Sequence, residues 1–170
     1  MMRTVLKKIL LGTVTALSLV AAPCAAVPRS ELSLGGIPLR QKYSVDDVKR
    51  IYGTPTRESY GIMEYGDSVE ILSDEAMISC IQVTEDNGWA TPAGVHVGMA
   101  QEKVLSLYGQ PDESAAKGKK TLHIYFDDDK RCVLGIVYGG NGKAALVTVK
   151  TSLMADFESW FPRWKERILN

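Results

Sequence analysis

Histidine is scarce in this chain of 170 residues, which has only His96 and His123. Neither stands in a zinc-ligand spacing, a nucleophile elbow or a triad arrangement that sequence can support. His123 alternates with Leu122, Ile124 and Phe126, which places it on the polar face of a strand, and His96 lies just ahead of a helix. Structural or solvent-facing roles are expected for both. Cysteine is nearly as rare, at three residues, and no Cys-x-x-Cys redox pair occurs. A glycine-rich phosphate loop and a dinucleotide fingerprint are also missing. Asp127-Asp128-Asp129 lacks the spaced oxygens and distal Glu of a calcium loop and reads as a hairpin turn. The expectation is therefore no cofactor, no metal ion and no catalytic residue. An enzyme would need a deep pocket in which His96 or His123 meets a carboxylate, so a hydrolase of unknown type is the rival reading.

Acidic residues are missing before Glu31, while Arg3, Lys7 and Lys8 precede an apolar run from Ile9 to Ala22. This pattern is that of a signal peptide over residues 1–26, cleaved after Ala26 with Cys24 and Ala26 at the small-residue positions. The run falls short of the roughly 20 residues that span a bilayer, so a membrane anchor is the weaker reading. Cys24 also raises lipidation, against which Pro23 occupies a place that a lipobox reserves for a small residue. Cleavage removes three basic residues and leaves 20 − 3 = 17 Lys plus Arg against 20 Asp plus Glu. A net charge of 17 − 20 = −3 gives no electrostatic footprint for nucleic acid. The remaining 170 − 26 = 144 residues suffice for one domain or two small repeats sharing a core. In oxidising surroundings Cys80 and Cys132 form either a disulfide or two buried thiols, and the bridge is the expectation. Closing a loop of roughly fifty residues would stabilise by a few kcal/mol in the chain-entropy model.

What the sequence does have is a pattern used twice. Ser44 to Pro55 reads Ser-Val-Asp-Asp-Val-Lys-Arg-Ile-Tyr-Gly-Thr-Pro, and Ala100 to Pro111 reads Ala-Gln-Glu-Lys-Val-Leu-Ser-Leu-Tyr-Gly-Gln-Pro. Val48, Tyr52, Gly53 and Pro55 fall on Val104, Tyr108, Gly109 and Pro111 at one offset, 104 − 48 = 56. Each copy predicts a short helix. Ser44 caps the first, with Asp47 closing a capping box, and Val45, Val48, Ile51 and Tyr52 form its apolar stripe. The second has Ala100 in the cap position. In both, glycine suits the left-handed residue past the helix and proline stops it from resuming.

After each helix the chain turns to β-branched and aromatic runs. The predicted strands are 58–65, 68–73 and 77–84 in the first half, and 122–126, 131–138 and 144–150 in the second. Asp112 to Thr121 reads as a solvated loop. Residues 27–36 read as a linker, 37–90 as the first repeat and 91–151 as the second. Trp89 stands in the polar connection between the halves, where a seam-filling role is expected. Residues 152–170 carry Leu153, Phe157, Trp160, Phe161, Trp164 and Ile168 at helical spacing, interrupted by Pro162. A kinked or divided helix packed on the sheet is the plain reading. An interfacial helix touching a membrane or partner is the sharper one.

The pieces Gly98-Met99, Val104 to Pro111, Tyr60 to Tyr65 and Leu122 to Phe126 resemble the β-lactamase inhibitor protein fold and the related SmpA/OmlA outer-membrane lipoproteins. The resemblance implies an α+β fold of two tandem helix-plus-antiparallel-sheet repeats, and an activity of protein binding. It implies no individual contact residue, because the matching motif is scaffold. The expectation is thus an exported, periplasmic or secreted, non-enzymatic binding module whose partner is another protein. An envelope structural protein attached through the carboxyl-terminal aromatic helix is the alternative. Tyr60, Tyr65, Trp89, Tyr125 and Tyr138 are the candidate anchors, since a few large aromatic side chains dominate interface energy.

Overall fold

The computed structural model describes residues 27–39, 45–74, 77–151 and 157–170. A 3-10 turn at Arg29–Glu31 leads into a small hairpin, β1 (Ser33–Leu34) and β2 (Ile37–Pro38). Helix α1 (Val45–Tyr52) is followed by β3 (Arg57–Ser59), β4 (Ile62–Tyr65), β5 (Val69–Asp74) and β6 (Met77–Val83). Helix α2 (Gln101–Tyr108) is followed by β7 (Glu113–Lys117), β8 (Lys120–Phe126), β9 (Cys132–Tyr138) and β10 (Ala144–Thr151), and α3 (Phe157–Leu169) ends the chain. Strands β3 to β10 form one eight-stranded antiparallel sheet in the order β3-β4-β5-β6-β10-β9-β8-β7. The fold is α+β. Each of the first two helices precedes four strands, and the last strand of each set meets the other at the β6–β10 pairing, Val83 opposite Val147 and Cys80 opposite Lys150.

Alternation along the strands assigns the two faces. One carries Met63, Ile71, Ile81, Leu134, Tyr125 and Val149 into a core closed by Val48 of α1, Val104 of α2 and the β1–β2 hairpin. The other carries Leu122, Ile124, Val133 and Val137 against Trp160, Phe161 and Trp164 of α3. Because β9 is covered on both faces it is buried at every position, and its sequence is apolar throughout instead of alternating. At 25 cal/mol per Å², each large side chain so enclosed stabilises by about 1.5–3 kcal/mol before entropy is counted.

The helix ends are alike in detail. Val48 and Val104 are both fully buried. Gly53 and Gly109 both have positive φ, 81° and 76°. The Tyr65 hydroxyl donates to the carbonyl of Gly53 and the Tyr125 hydroxyl to that of Gly109, each at 3.2 Å. Tyr52 donates to the Gly35 carbonyl and Tyr108 to Glu31 Oε2, so both tyrosines tie their helix to the same segment, residues 31–35. Ala100 makes no side-chain cap, as expected. The proposed Ser44 cap and the signal peptide lie outside the described residues.

Several expectations need correcting. Residues 27–36 are no linker, for Val27, Leu32 and Leu34 are buried and Val27 N donates to the Phe126 carbonyl. The predicted strand 58–65 is split at Tyr60-Gly61, whose φ values of 47° and 79° fit a two-residue hairpin turn. The stretch read as a solvated loop contains β7, an edge strand whose exposed side chains, Ser114, Ala116 and Lys117, are polar or small. His123 is buried, not on a polar strand face, because α2 lies over its side of β8: the Gln101 amide donates to its Nε2 at 3.3 Å, and its ring lies 4.9 Å from that of Tyr138. Helix α3 runs through Pro162 as one element, the missing N–H falling just past its first turn.

The expected disulfide is also absent. Cys80 and Cys132 are both buried and neither sulfur is bridged. Cys80 lies opposite Lys150 and Cys132 opposite Thr151, on the two strands flanking β10. Consecutive positions on β10 face opposite ways, so the two thiols point to different faces of the sheet. Two strand spacings, about 9.6 Å, also exceed what a disulfide can reach.

Candidate functional site

Helix α3 covers only the second half of its face of the sheet. The edge of the helix reaches Cys80 of β6 and Leu72 of β5, while among the described residues no helix is packed over this face of β3 and β4, and cross-strand register lays the side chains of this half out in two rows. One row runs Ser59, Ile62, Leu72, Cys80 and Lys150. The other runs Arg57, Glu64, Glu70, Gln82 and Thr148. Ile62 and Leu72 are half-buried apolar residues, Leu72 facing α3 across a cavity. Glu64 and Glu70 sit directly opposite each other, a pairing of like charges that would repel. Two cations offset it: Arg57 pairs with Glu64, and Arg167 of α3 lies 3.6 Å from Glu70. The charged row is thus partly neutralised and still offers both donors and acceptors.

Two cavities lie on this face. One, of about 260 Å³, is polar, with Arg57, Glu64, Asp67, Ser68, Glu70 and Gln82 among its walls. The other, of about 170 Å³, sits where the apolar row meets α3, between Leu72, Cys80, Lys150, Trp160 and Trp164, with Arg163 and Arg167 at its mouth. Lys150 Nζ stands 5.4 Å from the Trp160 ring centre, a cation over an aromatic face. The Cys80 thiol is pushed up by burial and its Sγ lies 3.7 Å from Thr148 Oγ1, so it stays protonated and is no nucleophile at neutral pH.

At the rim stands Tyr60, fully exposed at 103% and the first of the two turn residues joining β3 to β4. Its φ of 47° is a conformation that a tyrosine adopts at a cost, where Asn or Gly would sit comfortably. Neither its ring nor its backbone gains from burial. The other four predicted anchors are placed differently. Tyr65 is half-buried, and its ring meets that of Tyr52 at 6.3 Å. Trp89 packs 4.8 Å from Tyr52 and against the Gly35 turn, as a seam-filling residue would. Tyr125 and Tyr138 are enclosed, at 0% and 1% exposure, and present nothing to a partner because the helical side of the sheet covers them. Residues that the sequence did not single out, Ile62, Leu72, Lys150, Arg163 and Arg167, are the ones the fold brings together.

Neither histidine reaches these cavities. His96 lies 3.4 Å from Asp86 Oδ1 at the surface, and its Nδ1 is 2.8 Å from the Val97 carbonyl. His123 is under α2. Among the described residues no cluster of three or more His, Cys, Asp or Glu is placed to hold a metal ion. Asp127 Oδ1 instead accepts the Arg131 and Cys132 amides, at 2.7 and 2.9 Å, closing the hairpin expected of the acidic run. The aromatic face of α3 is occupied by the chain's own sheet, with Trp160, Phe161 and Trp164 all buried, which removes the side chains on which an interfacial helix would depend. No described helix is long and apolar enough to cross a membrane.

No family model matches the chain, and no curated protein matches it. A solved structure that it resembles is the crystal structure of a DUF4309 family protein (YjgB) from Bacillus subtilis subsp. subtilis str. 168. The TM-score is 0.47 at 17% identity, over 75% of this chain and 88% of that one. So loose a likeness leaves function to be argued from this chain's own surface.

Proposed function

We propose that the chain is an exported, non-enzymatic protein-binding module made of two tandem helix-plus-antiparallel-sheet repeats, and that it binds through the open half of the sheet face beside α3. The observation that carries this is the unequal cover of the sheet. Helix α3 hides the apolar side chains of β8 and β9, while Ile62 and Leu72 on the other half are only half-buried and lie beside charged groups. Apolar positions flanked by hydrogen-bonding groups on a rigid sheet are what an interface core and rim require. Tyr60 supports the reading, since a fully exposed aromatic residue held at φ 47° costs stability and serves no packing role. The repeat reading is supported by the matched helix ends, in which Tyr65 with Gly53 repeats as Tyr125 with Gly109.

The test is affinity capture from the organism's own extracytoplasmic fraction, with the mature wild-type chain and its Tyr60→Asn and Leu72→Asp variants as bait. A saturable partner that is retained by wild type and lost with either variant is the expected result. Tyr60→Asn should also raise folding stability by about 0.5–1 kcal/mol, because Asn tolerates the left-handed region better. A partner indifferent to both variants would refute this face as the contact surface.

A further inference from the structure

We propose that the notch beside α3 receives the carboxyl-terminal residue of a partner polypeptide, with an apolar last side chain on the floor of Leu72, Trp160 and Trp164 and the chain's terminal carboxylate among Lys150, Arg163 and Arg167. This rests on the protein-binding reading and specifies the partner. The notch, at about 170 Å³, suits one medium apolar side chain and is lined by two tryptophans and a leucine. Three cationic side chains line the same small volume. Of these, Arg167 approaches Glu70 at 3.6 Å, and Arg163 donates from Nε to the Ser159 carbonyl. No ion pair engages Lys150 or Arg163 among the described residues. Trp164 lines this cavity, and its indole N–H is buried without a hydrogen-bond partner among the described residues. An apolar floor under excess positive charge is complementary to an anion attached to an apolar group.

The rest of the face distinguishes a peptide from a fatty acid. From β10 to β3 the open rows cross four strand spacings, about 19 Å, which matches some six extended residues. Along that path Glu64, Glu70 and Gln82 offer acceptors and a donor to a backbone, and Ile62 offers an apolar step before Tyr60. An alkyl chain laid there would desolvate Glu64 and Glu70 with nothing in return.

The probe is a pool of fluorescein-labelled hexapeptides ending in Leu, Val or Phe with a free carboxylate, set against the same pool as carboxamides and against decanoate. Binding to the full exported chain is read by fluorescence polarisation, and notch occupancy by the fluorescence of Trp160 and Trp164. The free-carboxylate pool should bind at least about tenfold more tightly than the amides. The doubly substituted Arg163→Ala, Arg167→Ala chain should lose about tenfold while staying folded, its melting temperature falling only slightly because the Arg167–Glu70 pair it gives up is an exposed one. Equal binding of the two pools, no binding of either, or decanoate binding in preference to peptide overturns the proposal. A captured protein partner that is lost with Tyr60→Asn but retained by the double arginine variant would leave the binding reading standing and end this one.

Discussion

Gly135 sits in β9 on the face beneath α3, and replacing it with alanine tests how tightly that helix is docked. A Cβ built there would lie 2.8 Å from Trp164 Cη2, 3.0 Å from Cζ2 and 3.2 Å from Thr148 Cγ2. Carbon atoms are most stable about 3.5–4.0 Å apart, so the indole would have to withdraw by the better part of an ångström. It has little room to do so, being held between Trp160 at 6.1 Å and Phe161 at 5.8 Å between ring centroids. Overpacking of this kind costs about 1–3 kcal/mol. Against it stands a gain of about 0.5–1 kcal/mol, because alanine restricts the unfolded chain more than glycine does. The net expectation for Gly135→Ala is a loss of about 1–2 kcal/mol, or roughly 3–6 °C in a domain of this size. Chemical denaturation with urea measures it. A double-mutant cycle with Trp164→Leu, which removes the obstructing ring, should show positive coupling, Gly135→Ala becoming neutral or slightly stabilising in the Leu background. An alanine variant as stable as wild type would refute the docking of Trp164 on Gly135, and with it the closed wall of the notch.

A chain of residues 27–170, denatured and unreduced, should titrate two thiols, since Cys80 and Cys132 lie on opposite faces; none would mean that the strands are arranged otherwise. Tyr65→Phe and Tyr125→Phe should each destabilise, by about 0.5–1.5 kcal/mol for the enclosed Tyr125 and less for the half-exposed Tyr65, measured by thermal melting; a loss at one site only would break the equivalence of the two helix ends. Burial holds the His123 pKa below its ordinary 6.5, so the unfolded chain takes up the proton first as pH falls. Stability should therefore be unaffected by this group above about pH 6.5 and decline below it, down to the depressed folded value, with His123→Gln flattening that slope in urea midpoints between pH 7.5 and 5.

Much of the scaffold was legible because local chemistry decided it. Gly53 and Gly109 take the positive φ that their place after a helix stripe predicted, and Pro55 and Pro111 mark where the chain changes character. The aromatic spacing of α3 predicted a packed helix and it is one. Failures came where tertiary cover overrode a local rule. His123 alternates with apolar neighbours, which says only that it faces the other way from them; that the other way is also core depends on α2 folding back over that side of β8. Cys80 and Cys132 are separated by β10, a strand contributed after both, so no spacing between them could have revealed that they straddle it. Val27 to Leu39 looked like a linker because Pro and Gly punctuate it, yet its apolar residues were the stronger signal.

The candidate face was the least legible part, and for a physical reason. Ile71-Leu72 in β5 is a pair of adjacent apolar residues on a strand, and a strand must send one of them to each face. In β9 the same feature is explained on both sides, by the helical core and by α3. In β5 it is explained fully on one side only: Ile71 is fully buried, whereas Leu72 emerges between Ile62 and Cys80 and is only half-buried, meeting α3 across a cavity instead of packing beneath it. Sequence alone cannot say which apolar pair has lost its cover, because cover is set by where α3 docks, and α3 docks where Gly135 gives Trp164 room. The room left by one glycine thus helps to set which half of the sheet α3 closes and which it leaves half-exposed.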